Sequence, residues 1–266
     1  MLRAANLIFS YNYKDGQNKF SLQDINLNIS DGDFVGIFGP NGCGKSTLLK
    51  LLSGVLNPKS GQVLLHNKNM RAINRKEIAK KIAFVPQSAP SIFSYTIYEI
   101  VAMGRTPYFG VFGFESEEDR TIINESLEIL ELDLMSDKCI NEVSGGEAQR
   151  AYIARALAQK PEILLLDEPN SHLDLKHQVL IYDLLQKLNV EQRISIVTVS
   201  HDLNLSANYC KRAVLMNEGL VYCYGSISDV LTEEHIKNIF DLDSRVNFNY
   251  SEDDISIVIK PKKQTN

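Results

Sequence analysis

Apolar positions along the chain form two kinds of run, which predict different elements. Where they alternate with polar residues, at Leu7–Phe9 and again at Ile25, Leu27 and Ile29, a period of two predicts strands with one covered face. Lys14-Asp15-Gly16-Gln17 lies between them and supplies a turn, so an antiparallel ribbon is expected. Where apolar residues run unbroken, at Phe34–Phe38, Ile82–Val85, Ile163–Leu166 and Ile194–Val199, strands covered on both faces are expected, as in parallel sheets. Helical spacing marks Ser46–Ser53, Glu117–Leu132 and Gly145–Gln159. Alternation returns at Val246–Tyr250 and Ile255–Ile259 around the acidic turn Ser251–Asp254, which predicts a terminal hairpin.

This order gives an α/β chain. A nucleotide-binding core over 1–87 and 161–235 is expected to carry a helical subdomain over 88–160, with a C-terminal helix and hairpin over 236–266. No stretch reaches the roughly 18 apolar residues of a bilayer span. The start, MLRAANLIFSY, turns polar too soon for a secretory signal. Cys43, Cys139, Cys210 and Cys223 form no C-x-x-C pair and read as reduced thiols. Across 266 residues, 28 Lys and Arg stand against 33 Asp and Glu, a formal charge of −5, whereas a nucleic-acid partner calls for a basic surplus. A hydrophobic fraction of 44% excludes disorder as the main state.

The strand Phe34–Phe38 runs into Gly39-Pro40-Asn41-Gly42-Cys43-Gly44-Lys45-Ser46, which fits G-x-x-x-x-G-K-[ST] between a strand and a helix. Glycines there let backbone N–H groups turn around an anion, and the helix start adds its positive dipole end. Lys45 is expected at the β/γ-phosphates, the Ser46 hydroxyl on Mg²⁺, and Thr47 nearer the α-phosphate, with Gly39, Asn41, Gly42 and Gly44 forming the cradle. Cys43 reads as a small side chain that fits the loop.

Asp167 and Glu168 end the apolar strand Ile163–Leu166, where carboxylates have no place in a core. Asp167 is expected to hold Mg²⁺, a hard oxygen on a hard cation. Glu168, one residue on and pointing elsewhere, is expected to orient the attacking water.

Val143-Ser144-Gly145-Gly146-Glu147-Ala148-Gln149-Arg150 offers a capping serine, two glycines and a helix start, a second candidate anion site. With this motif the chain resembles the ATP-binding-cassette (ABC) ATPases, from Tyr11 to the terminal hairpin. The resemblance implies a P-loop NTPase core with a mixed sheet, an N-terminal antiparallel β-subdomain and an inserted helical subdomain. It also implies an adenine-stacking Tyr11, with Tyr13 the lesser candidate, and a Gln87 that approaches Mg²⁺ and the attacking water. Ser171–Asp174 resembles the D-loop, with Asp174 at the nucleotide, and His201 resembles the switch histidine on the γ-phosphate. Ser144, Gly145, Gly146 and Glu147 would close over ATP held by a second copy of the chain. Asn170 departs from the usual Thr or Ser, and Val143 from leucine. His172 and His177 share no helix face well, and no metal site is read there.

Apolar and aromatic residues crowd the segment after Gln87 and the run Met103–Gly110, with Val111–Gly113 behind it, and they read as a docking loop, whose partner the resemblance implies to be a membrane permease. Met103-Gly104-Arg105-Thr106-Pro107 resembles the importer ATPases for iron–siderophore, haem and cobalamin-type chelates. The expected function is therefore ATP hydrolysis at the cytoplasmic membrane face, energising permease subunits fed indirectly by a substrate-binding protein. The alternative is a soluble mechanical ATPase of metal-cluster assembly or repair, or the cassette of another transporter.

Overall fold

A computed structural model describes residues 1–11, 20–87, 94–110, 113–171, 173–249 and 254–260. In chain order it contains β1 (Leu2–Ser10), β2 (Ser21–Ile29), β3 (Phe34–Phe38), α1 (Lys45–Leu52), β4 (Ser60–Leu65), β5 (Lys68–Asn69), α2 (Arg75–Ala79), β6 (Ile82–Val85), α3 (Ile97–Ala102), α4 (Glu117–Ile129) and α5 (Gly145–Ala158). The second half continues with β7 (Ile163–Asp167), α6 (Leu175–Gln192), β8 (Ser195–Val199), α7 (Leu203–Tyr209), β9 (Arg212–Asn217), β10 (Leu220–Ser226), α8 (Ile227–Val230), α9 (Glu233–Phe240), β11 (Ser244–Asn249) and β12 (Asp254–Ile259). None of the described helices is long and apolar enough to cross a membrane. Two compact units divide the chain, Met1–Ala72 with Val197–Asn266, and Ile73–Ile196.

In the first unit β1 pairs antiparallel with both β2 and β4, and the alternating pattern turns Leu22, Ile25, Leu27 and Ile29 inward. β3 is buried at all five positions and runs parallel to β9, which turns back antiparallel into β10. Burial on both faces explains its lack of polar residues. The expected terminal hairpin is β11 and β12, registered Val246 on Ile257 and Phe248 on Ile255. It closes a core of Phe38, Ala207, Leu215, Leu231, Ile236, Ile255 and Ile257. Each such large aliphatic or aromatic side chain contributes about 1.5–3 kcal/mol by leaving water.

In the second unit β6 and β7 run parallel, with Val85 opposite Leu166. α5 packs on β6, and α3, α4 and α5 pack on one another. This is the expected α/β arrangement with a helical insert. The longest elements with no counterpart in the sequence expectations are β4, β9, β10 and α6, together with α7; the short β5, α2 and α8 were likewise not expected. The 18-residue α6 buries Ile181, Tyr182, Leu185 and Leu188 but exposes Leu175, Leu180 and Val190, so its apolar stripe is blurred.

The reading of Met103–Gly110 as a docking loop is corrected here. Arg105 is 3% exposed; its Nε donates to Asp119 Oδ1 at 2.8 Å and its Nη1 to Ala158 O at 2.7 Å, and its guanidinium stacks on Tyr108. Tyr108 donates its hydroxyl to Gln159 O at 2.7 Å, and a Cβ on Gly104 would lie 2.1 Å from Arg155 O. The run is a clamp on the C-terminal end of α5, where terminal carbonyls lack intrahelical partners and favour a cation. Residues 88–93, Val111 and Phe112 of the docking reading lie outside the described residues, as do Tyr13, His172, the turn 14–17, Tyr250 and residues 251–253.

Candidate active site

The buried strand β3 delivers the chain into the glycine loop of the first unit. Gly39 has φ +146°, and a Cβ there would lie 2.2 Å from Met216 O; Gly44 has φ +108°, and a Cβ would lie 2.5 Å from Phe20 Cζ. Neither position admits a side chain, so the motif glycines are dictated by backbone hand and by close approach together. Lys45 is buried and folds back over the loop, its Nζ donating to Gly39 O at 2.8 Å and Pro40 O at 2.9 Å. The Tyr11 hydroxyl lies 3.2 Å from Thr47 Oγ1, and its ring meets Phe9 edge-on at 4.9 Å. Asn41 and Gly42 are exposed on the loop, and Ser46 is half-buried at the start of α1. Burial pushes the Cys43 thiol up, against the opposing pull of Lys45, so the thiol is not activated in this loop.

His201 stands just past the end of β8. Ser200 N donates to Ile37 O at 3.4 Å, so the histidine and the glycine loop leave neighbouring strands at their carboxyl ends, the side where open α/β sheets place ligands. His201 is exposed, and Asp202 behind it caps α7 through Leu205 N at 2.9 Å.

The second unit brings Gln87 and Glu168 together. Each follows a paired strand residue, Val85 or Leu166, by the same two positions, and Gln87 Nε2 donates to Glu168 Oε2 at 2.6 Å. At this distance the bond lies at the short end of the N–H···O range. Glu168 has φ +50°, a left-handed backbone that is uncommon for a residue with a side chain. Asp167 before it is 4% exposed and Asn170 after it is buried.

Ser144 caps α5 and forms a closed box with Glu147. Glu147 N donates to Ser144 Oγ at 3.3 Å, while Glu147 Oε2 accepts from Ser144 N at 2.7 Å and from Ser144 Oγ at 2.8 Å. The Ser144 backbone and hydroxyl bonds hold the Glu147 carboxyl below the usual range. Asp174 caps α6, accepting from His177 N at 2.9 Å and pairing with His177 Nδ1 at 2.6 Å. A Cβ on Gly146 would lie 2.9 Å from His177 Cδ2. His177, weighed in the sequence only as a metal ligand and set aside, links the Asp174 cap to the glycine pair of α5. The signal for it was the Asp-x-x-His spacing of a cap and its third helical residue.

The sequence profile of the ABC transporter family matches residues 22–171. The iron(3+)-hydroxamate import ATP-binding protein FhuC of Bacillus subtilis (strain 168) is 39% identical over 225 residues, 85% of this chain and 84% of its own. The ferric enterobactin transport ATP-binding protein FepC of Escherichia coli (strain K12) is 36% identical, covering 85% of this chain and 84% of its own. A solved transporter assigned to the metal-chelate ABC type, in an inward-facing conformation, superposes with a TM-score of 0.83 at 30% identity, covering 99% of this chain and 98% of its own. The ATP-binding cassette MJ0796, dimeric and bound to ADP and Pi after hydrolysis, gives 0.74 at 33% identity over 85% of this chain and 99% of its own.

Proposed function

The chain belongs to the ABC transporter family as an ATP-hydrolysing transport cassette, and from that premise we propose that it energises the import of an iron–siderophore or a related metal chelate such as haem or cobalamin. Relatives named for ferric hydroxamate, enterobactin and petrobactin support the cargo class. It acts as a head-to-tail pair of copies on the cytoplasmic face of the membrane. There it engages permease subunits through the loop after Gln87 and, indirectly, a substrate-binding protein.

The residue roles follow from their chemistry. Backbone N–H groups of the loop from Gly39 to Gly44 and the Lys45 ammonium bind the phosphates, and Tyr11 stacks on adenine. Ser46, Asp167 and Gln87 offer hard oxygens, the donors Mg²⁺ takes. The described residues hold no cluster of three or more His, Cys, Asp or Glu able to bind a metal, which suits a cation sharing its shell with phosphates and water. Bound there, Mg²⁺ would neutralise charge on the phosphate oxygens. Glu168 orients the attacking water and accepts its proton, His201 donates to the γ-phosphate, and Ser144–Glu147 with Asp174 serve the nucleotide across the pair.

The single observation that carries this reading is the Gln87–Glu168 hydrogen bond, which holds the carboxylate in one direction before any water attacks. In cells lacking the gene, the wild-type chain is expected to restore uptake of radiolabelled ferric siderophore. Glu168→Gln is expected to bind ATP, form an ATP-dependent dimer on size exclusion, hydrolyse below about 1% of the wild-type rate and restore no uptake. Wild-type hydrolysis by that variant overturns the role of Glu168, and wild-type protein that moves no metal chelate overturns the cargo.

A further inference from the structure

The C-terminal hairpin is bonded to the helix that follows His201 in a way that packing alone does not require. Asn204 Nδ2 donates to Ile257 O at 3.0 Å while Ile257 N donates to Asn204 Oδ1 at 2.7 Å. Asn208 repeats the pattern on Ile255, at 3.1 Å and 2.7 Å. Each amide thus saturates both main-chain groups of one β12 residue, as a neighbouring strand would. The two spacings match: four residues of helix rise about 6.0 Å, and two residues of strand about 6.6–6.8 Å. Residues four apart on one helix face can therefore each meet one of two residues two apart on the strand. Beneath the amides, Ile255, Ile257 and Ala207 share the same buried core, with Leu203 packed against it.

A strand edge can be protected by charge, proline or a bulge without fixing any neighbour. Here four directional bonds set the register of α7 along β12, and α7 begins at the Asp202 cap directly after His201. We propose that Asn204 and Asn208 are positioning residues for ATP hydrolysis, clamping α7 to the terminal hairpin so that His201 is held at a fixed place and angle. The hairpin is then part of the hydrolytic apparatus and not an appendage. This inference rests on the role of His201 given above.

The test uses the full chain with labelled histidine rings, five in all. Asn204→Ala/Asn208→Ala is expected to lower kcat at least tenfold, leave KM for ATP within twofold, and shift or broaden the His201 ring resonances. An unchanged kcat overturns the proposal, as does a lower kcat with unmoved His201 resonances, which would mark a stability effect only. Should the double variant fail to fold, Asn208→Asp keeps the acceptor for Ile255 N–H and loses the donor to Ile255 O; it is read by the same criteria with a smaller expected loss. His201→Ala separates the two claims: wild-type turnover there removes the role of His201, while the His201 ring resonances of the asparagine variants, which keep the imidazole, report whether the clamp orders it.

Discussion

Helix α1 starts at Gly44 with a left-handed backbone, no capping side chain and no acid in its first turn, whereas α5 starts at Ser144 inside a complete capping box. Every other α-helix among the described residues also carries a side-chain N-cap, from Asn74, Thr96, Ser116, Asp174, Asp202, Ser226 or Thr232. A capping oxygen competes with a polyanion for the first N–H groups of a helix, and an acid in the first turn answers the dipole that would attract one; α1 has neither. The two glycine-bearing motifs are therefore not equivalent anion sites. The start of α1 suits the phosphate-holding role proposed for it. At α5 the Ser144 hydroxyl must leave Glu147 before it can donate to a phosphate, which suits a contact made only when a second copy closes.

The far end of α5 offers the largest test of this contrast, because the clamp at Ala158 and Gln159 fixes the helix that carries Ser144. Arg105→Ala removes the ion-pair partner of the buried Asp119, which keeps only its bonds from Ser116 N and Oγ, a loss of about 3 kcal/mol. At this chain size that corresponds to a melting temperature lower by about 10 °C. ATP affinity of the isolated chain, measured by calorimetry below that temperature, should stay within twofold, since the groups proposed to hold the phosphates within one copy are those of α1 and its loop. A melt within about a degree of wild type would remove the clamp from the account of α5.

The contrast at the helix starts themselves breaks if α1 is given what α5 has. Thr47 follows Gly44 by the same three positions that separate Glu147 from Ser144. Thr47→Glu should place a carboxylate on the phosphate site and weaken ATP about 100-fold, or about 2.7 kcal/mol. Thr47→Val removes the Tyr11 bond without adding charge and should cost less than tenfold. Equal losses in the two variants would mean that the Tyr11 contact, and not the uncapped dipole, sets affinity.

Which of these features are legible in the sequence follows from the range of their causes. β3 and β6 were expected at the residues where they occur, and α1 and α5 within one residue, because unbroken apolar runs and glycine–serine starts are local signals. Glu168 is legible as a carboxylate that ends an apolar strand and Gln87 only through the family resemblance, whereas the 2.6 Å bond between them depends on the parallel register of β6 and β7, which no local signal carries. Arg105 was misread because its partners, Asp119 and Ala158, are remote in sequence and a run of aromatics around one arginine looks the same on a surface as in a clamp. The hint was the arginine itself, which seldom lies among apolar residues without a carboxylate to meet it. β9 and β10 went unassigned because a short run such as Arg212–Asn217 gains its burial from β3 and the terminal hairpin.

The smallest test concerns the charge of Glu147 alone. Gln keeps an acceptor oxygen for the Ser144 N–H and hydroxyl, so Glu147→Gln preserves the box and removes only the anion. Because the folded carboxyl titrates below its ordinary value, its contribution is complete above the unfolded pKa near 4.3 and is lost as pH falls through the folded value. At pH 7 the variant should thus melt slightly below wild type, by less than about 1 kcal/mol in stability, and the gap should close in acid. With less negative charge at the start of α5, the ATP-dependent dimer should form at equal or lower ATP concentration. A gap that persists unchanged at low pH would mean that hydrogen bonding and not charge distinguishes α5 from α1, and Thr47→Glu should then weaken ATP by crowding alone.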